Sequence, residues 1–239
     1  VGFRAAMLST TAIMVGILGP VLFAWIGRPS SENPGEGRNV GSTQPQDPSA
    51  SSAASRASIV RRLAFWTISI PFALALLAQV GFIVHQIPML EPNVGRSNVG
   101  FAVSLMTFMA IAGRFALGLV VDRFNPRLVT AASLVSQAAA LLMILQTDSV
   151  PVVLAACAIF GFSIGNLITL PPLIIDREFG AASLAIVMGL SNAISGTVGA
   201  LGPALIGVIR GWSGDYSVAL AVCIALELVA AALVIEWRL

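Results

Sequence analysis

Apolar runs of close to 20 residues, separated by short polar turns, fill most of this 239-residue chain. A bilayer core of roughly 30 Å needs about 20 residues of helix to cross it. The pattern therefore predicts seven membrane-crossing helices, at about residues 5–27, 63–84, 98–121, 128–146, 151–175, 183–209 and 216–236. Residues 28–61 break the pattern. Pro29, Ser30, Ser31, Pro34, Gly35 and Gly37 lead there into a Ser/Ala/Gln/Pro stretch that runs to Ser58. Such a composition buries too little apolar surface to fold, which predicts a flexible linker. The expected organisation is one leading helix in residues 1–27, the linker 28–61, and a six-helix bundle in 62–239.

Composition decides against a large soluble core, the competing arrangement. Hydrophobic residues make up 57% of the chain and charged ones 10%, with a mean hydropathy of +0.92; a soluble domain carries roughly a quarter charged residues. All thirteen basic residues are arginine. Without lysine there is no Schiff-base chemistry, and so no retinal-binding seven-helix protein. One histidine and two separated cysteines, Cys157 and Cys223, cannot make a structural zinc site or a disulfide framework. There is no phosphate-binding glycine loop with its lysine, so nothing suggests an ATP-driven pump. No cofactor, metal or nucleic-acid partner is expected, and no enzyme activity. The partners implied are the lipid bilayer and a small-molecule substrate. Arginine in place of lysine throughout suggests a GC-rich, bacterial source.

Arginine placement sets the expected orientation. Arg28, Arg38, Arg56, Arg61, Arg62, Arg123, Arg127, Arg177 and Arg238 fall on one side of the seven spans, and Arg4, Arg96 and Arg210 on the other. This bias puts linker 28–61 and the C-terminus in the cytoplasm, in an inner cell membrane. The first span opens after Arg4 and lacks a small-residue cleavage site, so it does not read as a signal peptide. A start at Val1 with the N-terminus outside reads as a fragment, with further helices upstream.

Polar residues inside the spans are the functional candidates. Arg114 lies within an apolar run, where a charge is costly. It precedes Asp122 by eight residues, roughly 12 Å of helix, near the limit from which its side chain could snorkel to the headgroups. Ser104, Thr107 and Arg114 fall within roughly 80° of one another on a helical wheel. Asn192 and Ser195 share a face with Gly199 and Gly202; Asn166 and Thr169 lie a turn apart, and Gln79 and Gln86 two turns apart. Narrow polar faces on four spans suit either one small cavity or ordinary interhelical hydrogen bonds. Arg114, Gln79, Asn166, Asn192 and Ser195 are the expected substrate-binding set. His85, near the outer end of its span, and Glu227, in mid-span, are the candidates for a coupling proton. Their plainer roles are a hydrogen bond to a neighbouring carbonyl and a neutral or paired structural glutamate. Gly161 and Gly165, and the series Gly196, Gly199 and Gly202, mark close helix approaches. Pro71, Pro171, Pro172 and Pro203 permit bends.

The run GRFALGLVVDRFNPR, residues 113–127, resembles the G-x-x-x-D-R-x-x-x-R signature loop of the major facilitator superfamily. Gly118, Asp122, Arg123 and Arg127 match its fixed positions and are expected to form a gating latch. The segments GPALIG (202–207) and GWSGDY (211–216) are similar to that family's eleventh helix and the turn into its twelfth, and VGFRAA (1–6) to the start of its sixth. The resemblance implies an all-α integral membrane fold: the six-helix C-terminal half plus one preceding helix, with roughly five more spans upstream. FIVHQIP (82–88) with Gly113 and Arg114 resembles the monocarboxylate and oxalate/formate-type porters, in which an eighth-helix arginine engages the substrate carboxylate. Ala110 stands where mammalian-type monocarboxylate porters carry an aspartate. The sixth span lacks the lysine of the oxalate porter, which points away from a dicarboxylate. What the resemblance implies is a secondary active transporter working by alternating access. Its expected substrate is a small organic anion such as a monocarboxylate, coupled to a proton or counter-anion. The alternatives are a drug or neutral-solute exporter of the same fold, and a seven-helix membrane receptor or enzyme.

Overall fold

The computed structural model describes residues 16, 58–121 and 123–235. The chain divides into two compact units, Val1–Gln46 and Asp47–Leu239. Of the first, only Gly16 is described, and it is helical. The rest of the predicted first span, the linker up to residue 57, and Asp122 lie outside the described residues.

The second unit is built of helices: α1 (Leu63–Val94), α2 (Val99–Val120), α3 (Pro126–Gln146), α4 (Val150–Phe179), α5 (Ala181–Ala200), α6 (Gly202–Ser213) and α7 (Ser217–Ile235). The segment Ala181–Ser213, containing α5 and α6, makes a single membrane-length span, so the described residues hold six such spans. They match the six predicted after the linker. The interruption at Leu201 has a local cause: Pro203 has no N–H to continue the helical ladder, and its ring crowds the preceding turn. The Leu201 N–H turns instead to Val198 O at 3.1 Å.

Two helices run past their predicted ends. α1 continues to Val94 and α4 to Phe179. Hydropathy fades before the helix does, because the backbone ladder continues until a residue leaves helical geometry. Gly95 and Gly180 do so, with φ of 76° and 75°, a region that side chains disfavour. Gly180 alone separates α4 from α5.

α1 is the central helix, packed against α4, α5, α6 and α7, with α3 wedged between α4 and α7. In its most apolar stretch 61% of residues are buried, against 22% in α2 and in the α5–α6 span. Those two spans therefore keep broad uncovered faces. α2 is held mainly by α4, and the crossing is made of glycine. A methyl group added at Gly113 would strike Phe162 O, at Gly161 would strike Met106 O, and at Gly165 would strike Ala110 O. The two backbones touch, and lipid, which offers no hydrophobic drive between helices, leaves such packing to hold them. The α1–α6 crossing works similarly: Gly202 sits against Leu77 O and Gly81. Gly196, by contrast, faces open space.

Gly165→Ala is expected to push α2 off α4, costing about 1–3 kcal/mol as overpacking does, while Gly196→Ala stays within about 0.5 kcal/mol of the parent. Thermal unfolding of both variants in detergent checks this; equal midpoints would show that the close crossing is not needed.

Candidate functional site

The buried side chains of the bundle form two apolar clusters, one toward each end. Phe82, Leu90, Leu141, Phe160 and Cys223 belong to one, and Phe65, Phe72, Leu134, Leu170 and Ile175 to the other. Near their junction five helices each carry a buried polar residue: Gln79 on α1, Gln137 on α3, Asn166 on α4, Ser195 on α5 and Glu227 on α7. Gln79 Nε2 donates to Gln137 Oε1 at 2.9 Å. Gln137 Nε2, Asn166 Oδ1, Ser195 Oγ and both carboxyl oxygens of Glu227 have no hydrogen-bond partner among the described residues. An unsatisfied buried polar group costs about 1–3 kcal/mol. A belt of them in the middle of a membrane bundle costs stability, which makes it a candidate site.

A cavity of about 180 Å³ opens on this belt, lined by Gln79, Asn192, Ser191, Ser195, Phe72 and Pro171 among others. The Ser69 hydroxyl, donating to Ser191 Oγ at 3.2 Å, ties α1 to α5 beside it. Three of the five predicted binding residues, Gln79, Asn192 and Ser195, therefore meet in one place. Asn166 is buried in the belt but does not line the cavity. Thr169 bonds back to Asn166 O at 2.9 Å.

Arg114 stands apart from that cavity. It is exposed on α2 and has no hydrogen bond or ion pair among the described residues. Ser104 and Thr107, on the same face, are exposed too, and their hydroxyls donate to Gly100 O and Val103 O of their own helix. About a quarter turn away, a second exposed stripe carries Phe101, Phe108, Phe115 and Leu119, the last two 74% and 82% exposed. α2 thus presents one apolar face suited to lipid, and beside it a polar face that carries the guanidinium.

The predicted latch is built around Arg127, which is 8% exposed. Its Nε and Nη2 donate to Glu178 Oε1 and Oε2 at 2.6 and 2.9 Å, a bidentate pair. Nη2 also donates to Thr67 Oγ1 at 3.0 Å and Nη1 to Val234 O at 3.1 Å. One side chain at the start of α3 thereby ties the ends of α1, α4 and α7. Asn125 positions it: its Oδ1 accepts from the Arg127 backbone N–H at 3.1 Å and caps α3. Arg123 is exposed and has no ion pair among the described residues, and Gly118 faces open space. Glu178 was not anticipated from the sequence. The available signal was an acid at the end of a span, on the same side as an unpaired buried arginine.

His85 is in contact with a carbonyl of another helix. Its Nε2 lies 3.2 Å from Pro203 O, which can only accept, so the proton is on Nε2. Nδ1 is then free to accept from the Tyr216 hydroxyl at 3.4 Å. Arg210 lies over the Tyr216 ring, 5.2 Å from its centroid.

The family model of the Major Facilitator Superfamily matches residues 1–203 and again 86–238. The chain belongs to the major facilitator superfamily. It is a multi-pass membrane transporter, and the helical bundle described above agrees with that family's fold. A comparison with curated proteins gives no match.

A double-mutant cycle on Arg127→Gln and Glu178→Gln is expected to give a coupling energy of about 1–3 kcal/mol, as for contacting residues of one network. Either single variant should destabilise the bundle more than the pair mutated together, since it strands one charge. Additive effects on thermal unfolding would rule out the tie.

Proposed function

We propose that this chain is the C-terminal half, with one preceding helix, of a secondary active transporter for a small organic anion, a monocarboxylate in the first instance. The observation that carries the proposal is Arg114: a cation inside a membrane helix, with no ion-pair partner among the described residues, on a polar face set beside a lipid-suited aromatic one. A guanidinium so placed is too costly to keep facing hydrocarbon. It suits a water-filled passage along this face of the bundle, where a carboxylate can pair with it. α2 and α5 flank α4, and both keep uncovered faces, as the walls of such a passage would. The cavity at Gln79, Asn192 and Ser195 supplies neutral hydrogen-bonding groups on the opposite flank. Its volume of about 180 Å³ is below the roughly 300–1,000 Å³ of ordinary ligand pockets, which fits a small solute shared between two halves.

In this reading the bundle moves as one body during alternating access between inward- and outward-open states. The loop of Gly118, Asp122, Arg123 and Arg127, cytoplasmic together with the linker and the C-terminus, serves as the gating latch in the inner membrane. Glu227, buried with both oxygens unpartnered, is the better of the two candidates for a coupling proton; His85, already engaged at both ring nitrogens, is the weaker. A counter-anion is the other possible driving species.

One observation favours a second reading. The walls of the Gln79 cavity carry no charge, which suits a neutral solute or drug handled by an exporter of the same fold. The two readings separate on Arg114→Gln in the full-length transporter reconstituted into vesicles. Uptake of small monocarboxylates should fall about 100-fold, in line with about 3 kcal/mol for a lost charge-assisted bidentate contact, while the protein remains folded. Unchanged carboxylate uptake would sink the anion reading, and Gln79→Ala abolishing transport of a neutral solute would establish the other.

A further inference from the structure

The end of the bundle that carries Arg127 holds a separate concavity of about 360 Å³, lined by Arg123, Phe124, Asn125, Arg127, Arg177 and Glu178 among others. Arg127 and Glu178 neutralise each other. Arg123 and Arg177 are exposed and make no hydrogen bond or ion pair among the described residues. Three guanidiniums and one carboxylate on the walls leave an excess of two positive charges (3 − 1). The wall also includes the N-terminus of α3, a 21-residue helix, whose dipole end adds to the positive potential. Beside the arginines, Phe124 and Leu128 are 57% and 58% exposed.

We propose that this concavity is a phosphate site, in which Arg123 from the α2–α3 turn and Arg177 from the end of α4 close on one phosphate group from two sides. Guanidinium forks match phosphate oxygens in pairs, and here two of them have no partner among the described residues around one hollow. A phosphate can reach such a site as a lipid headgroup or as the free ion. The surroundings favour an anionic phospholipid, because the exposed Phe124 and Leu128 at the membrane boundary offer apolar surface to its chains. Free phosphate would leave that surface bare. Occupancy would add a second tie between the elements that Arg127 and Glu178 already join, and so would hold this end of the bundle closed. The inference needs only that the chain spans a bilayer. It is independent of Arg114 and of what is transported.

The test titrates the full-length protein in neutral detergent with phosphatidylglycerol, phosphatidylcholine and inorganic phosphate. Bound lipid is read by native mass spectrometry and bound phosphate by calorimetry. Phosphatidylglycerol should bind in preference to phosphatidylcholine, and the double variant R123Q/R177Q should bind it about 30-fold more weakly, from about fivefold for each arginine. R96Q, which removes an exposed arginine of the α1–α2 turn, should bind as the parent does. Inorganic phosphate bound with the same arginine dependence, and no preference between the lipids, would keep the site and assign it to the free ion. Parent-like binding of both ligands by R123Q/R177Q, or an equal loss in R96Q, would overturn the proposal. Unchanged thermal midpoints confirm that the exposed substitutions leave the fold intact.

Discussion

Inside a bilayer a polar group has no water to fall back on, and the bundle is arranged around that constraint. Most of its polar side chains solve the problem locally. Ser104, Thr107, Ser136 and Thr197 return their hydroxyl protons to carbonyls of their own helices. Others solve it between helices, and these contacts fix the architecture: Ser69 with Ser191, Gln79 with Gln137, His85 with Pro203 O, Arg127 with Glu178. Three of these four contacts start from α1, the helix packed against the most neighbours. The unsatisfied groups then stand out. Apart from Gln86 Oε1, those among the described residues gather where the two apolar clusters meet, next to a cavity.

Close packing and charge divide the remaining work. Glycine at 113, 161 and 165 lets α2 lie backbone to backbone on α4, so α2 needs no large buried face of its own. That frees the rest of its circumference for the aromatic and polar stripes. The end charges act at a distance from this contact. Arg127 reaches three other helices from one position, and breaking it would strand Glu178 at a boundary where its charge still has a cost. The bundle is therefore tightened at one end by an ion pair and at the other by the His85, Tyr216 and Pro203 O contacts, with the unpaired belt between.

The spans were legible in the sequence because hydropathy over about 20 residues is a property of composition, which tertiary context does not alter. The helix ends at Val94 and Phe179 were not, because a helix stops where backbone geometry changes and not where hydropathy falls. Gly161, Gly165, Gly199 and Gly202 were recognisable by spacing, whereas Gly81 and Gly113 carried no such signal and pack just as tightly. Periodicity put Gln79, Asn192 and Ser195 on faces that border one cavity, Gln79 and Ser195 buried and Asn192 exposed. It could not join Arg114 to them, since wheel angles on separate helices share no common origin. Gln137 and Glu178 were passed over for the same reason: each gains its meaning from a partner 58 or 51 residues away.

Gln79 is the residue where the belt and the cavity become one system. Its Nε2 is committed to Gln137, and the same amide lines the hollow with Asn192 and Ser195. Gln137 in turn has an unused Nε2, and Glu227 two unused oxygens, among the described residues. Arg127 touches Val234 O; from there Gln137 lies ten residues up α3 and Glu227 seven residues up α7, roughly 15 and 10 Å at 1.5 Å per residue, about one helical turn apart in height. A ligand that drew the Gln79 amide toward the cavity would loosen its bond to Gln137 and free the Gln137 Oε1 acceptor as well. The cavity is thus tied to α3 through a single shared side chain, and a shift of that side chain leaves both apolar clusters packed.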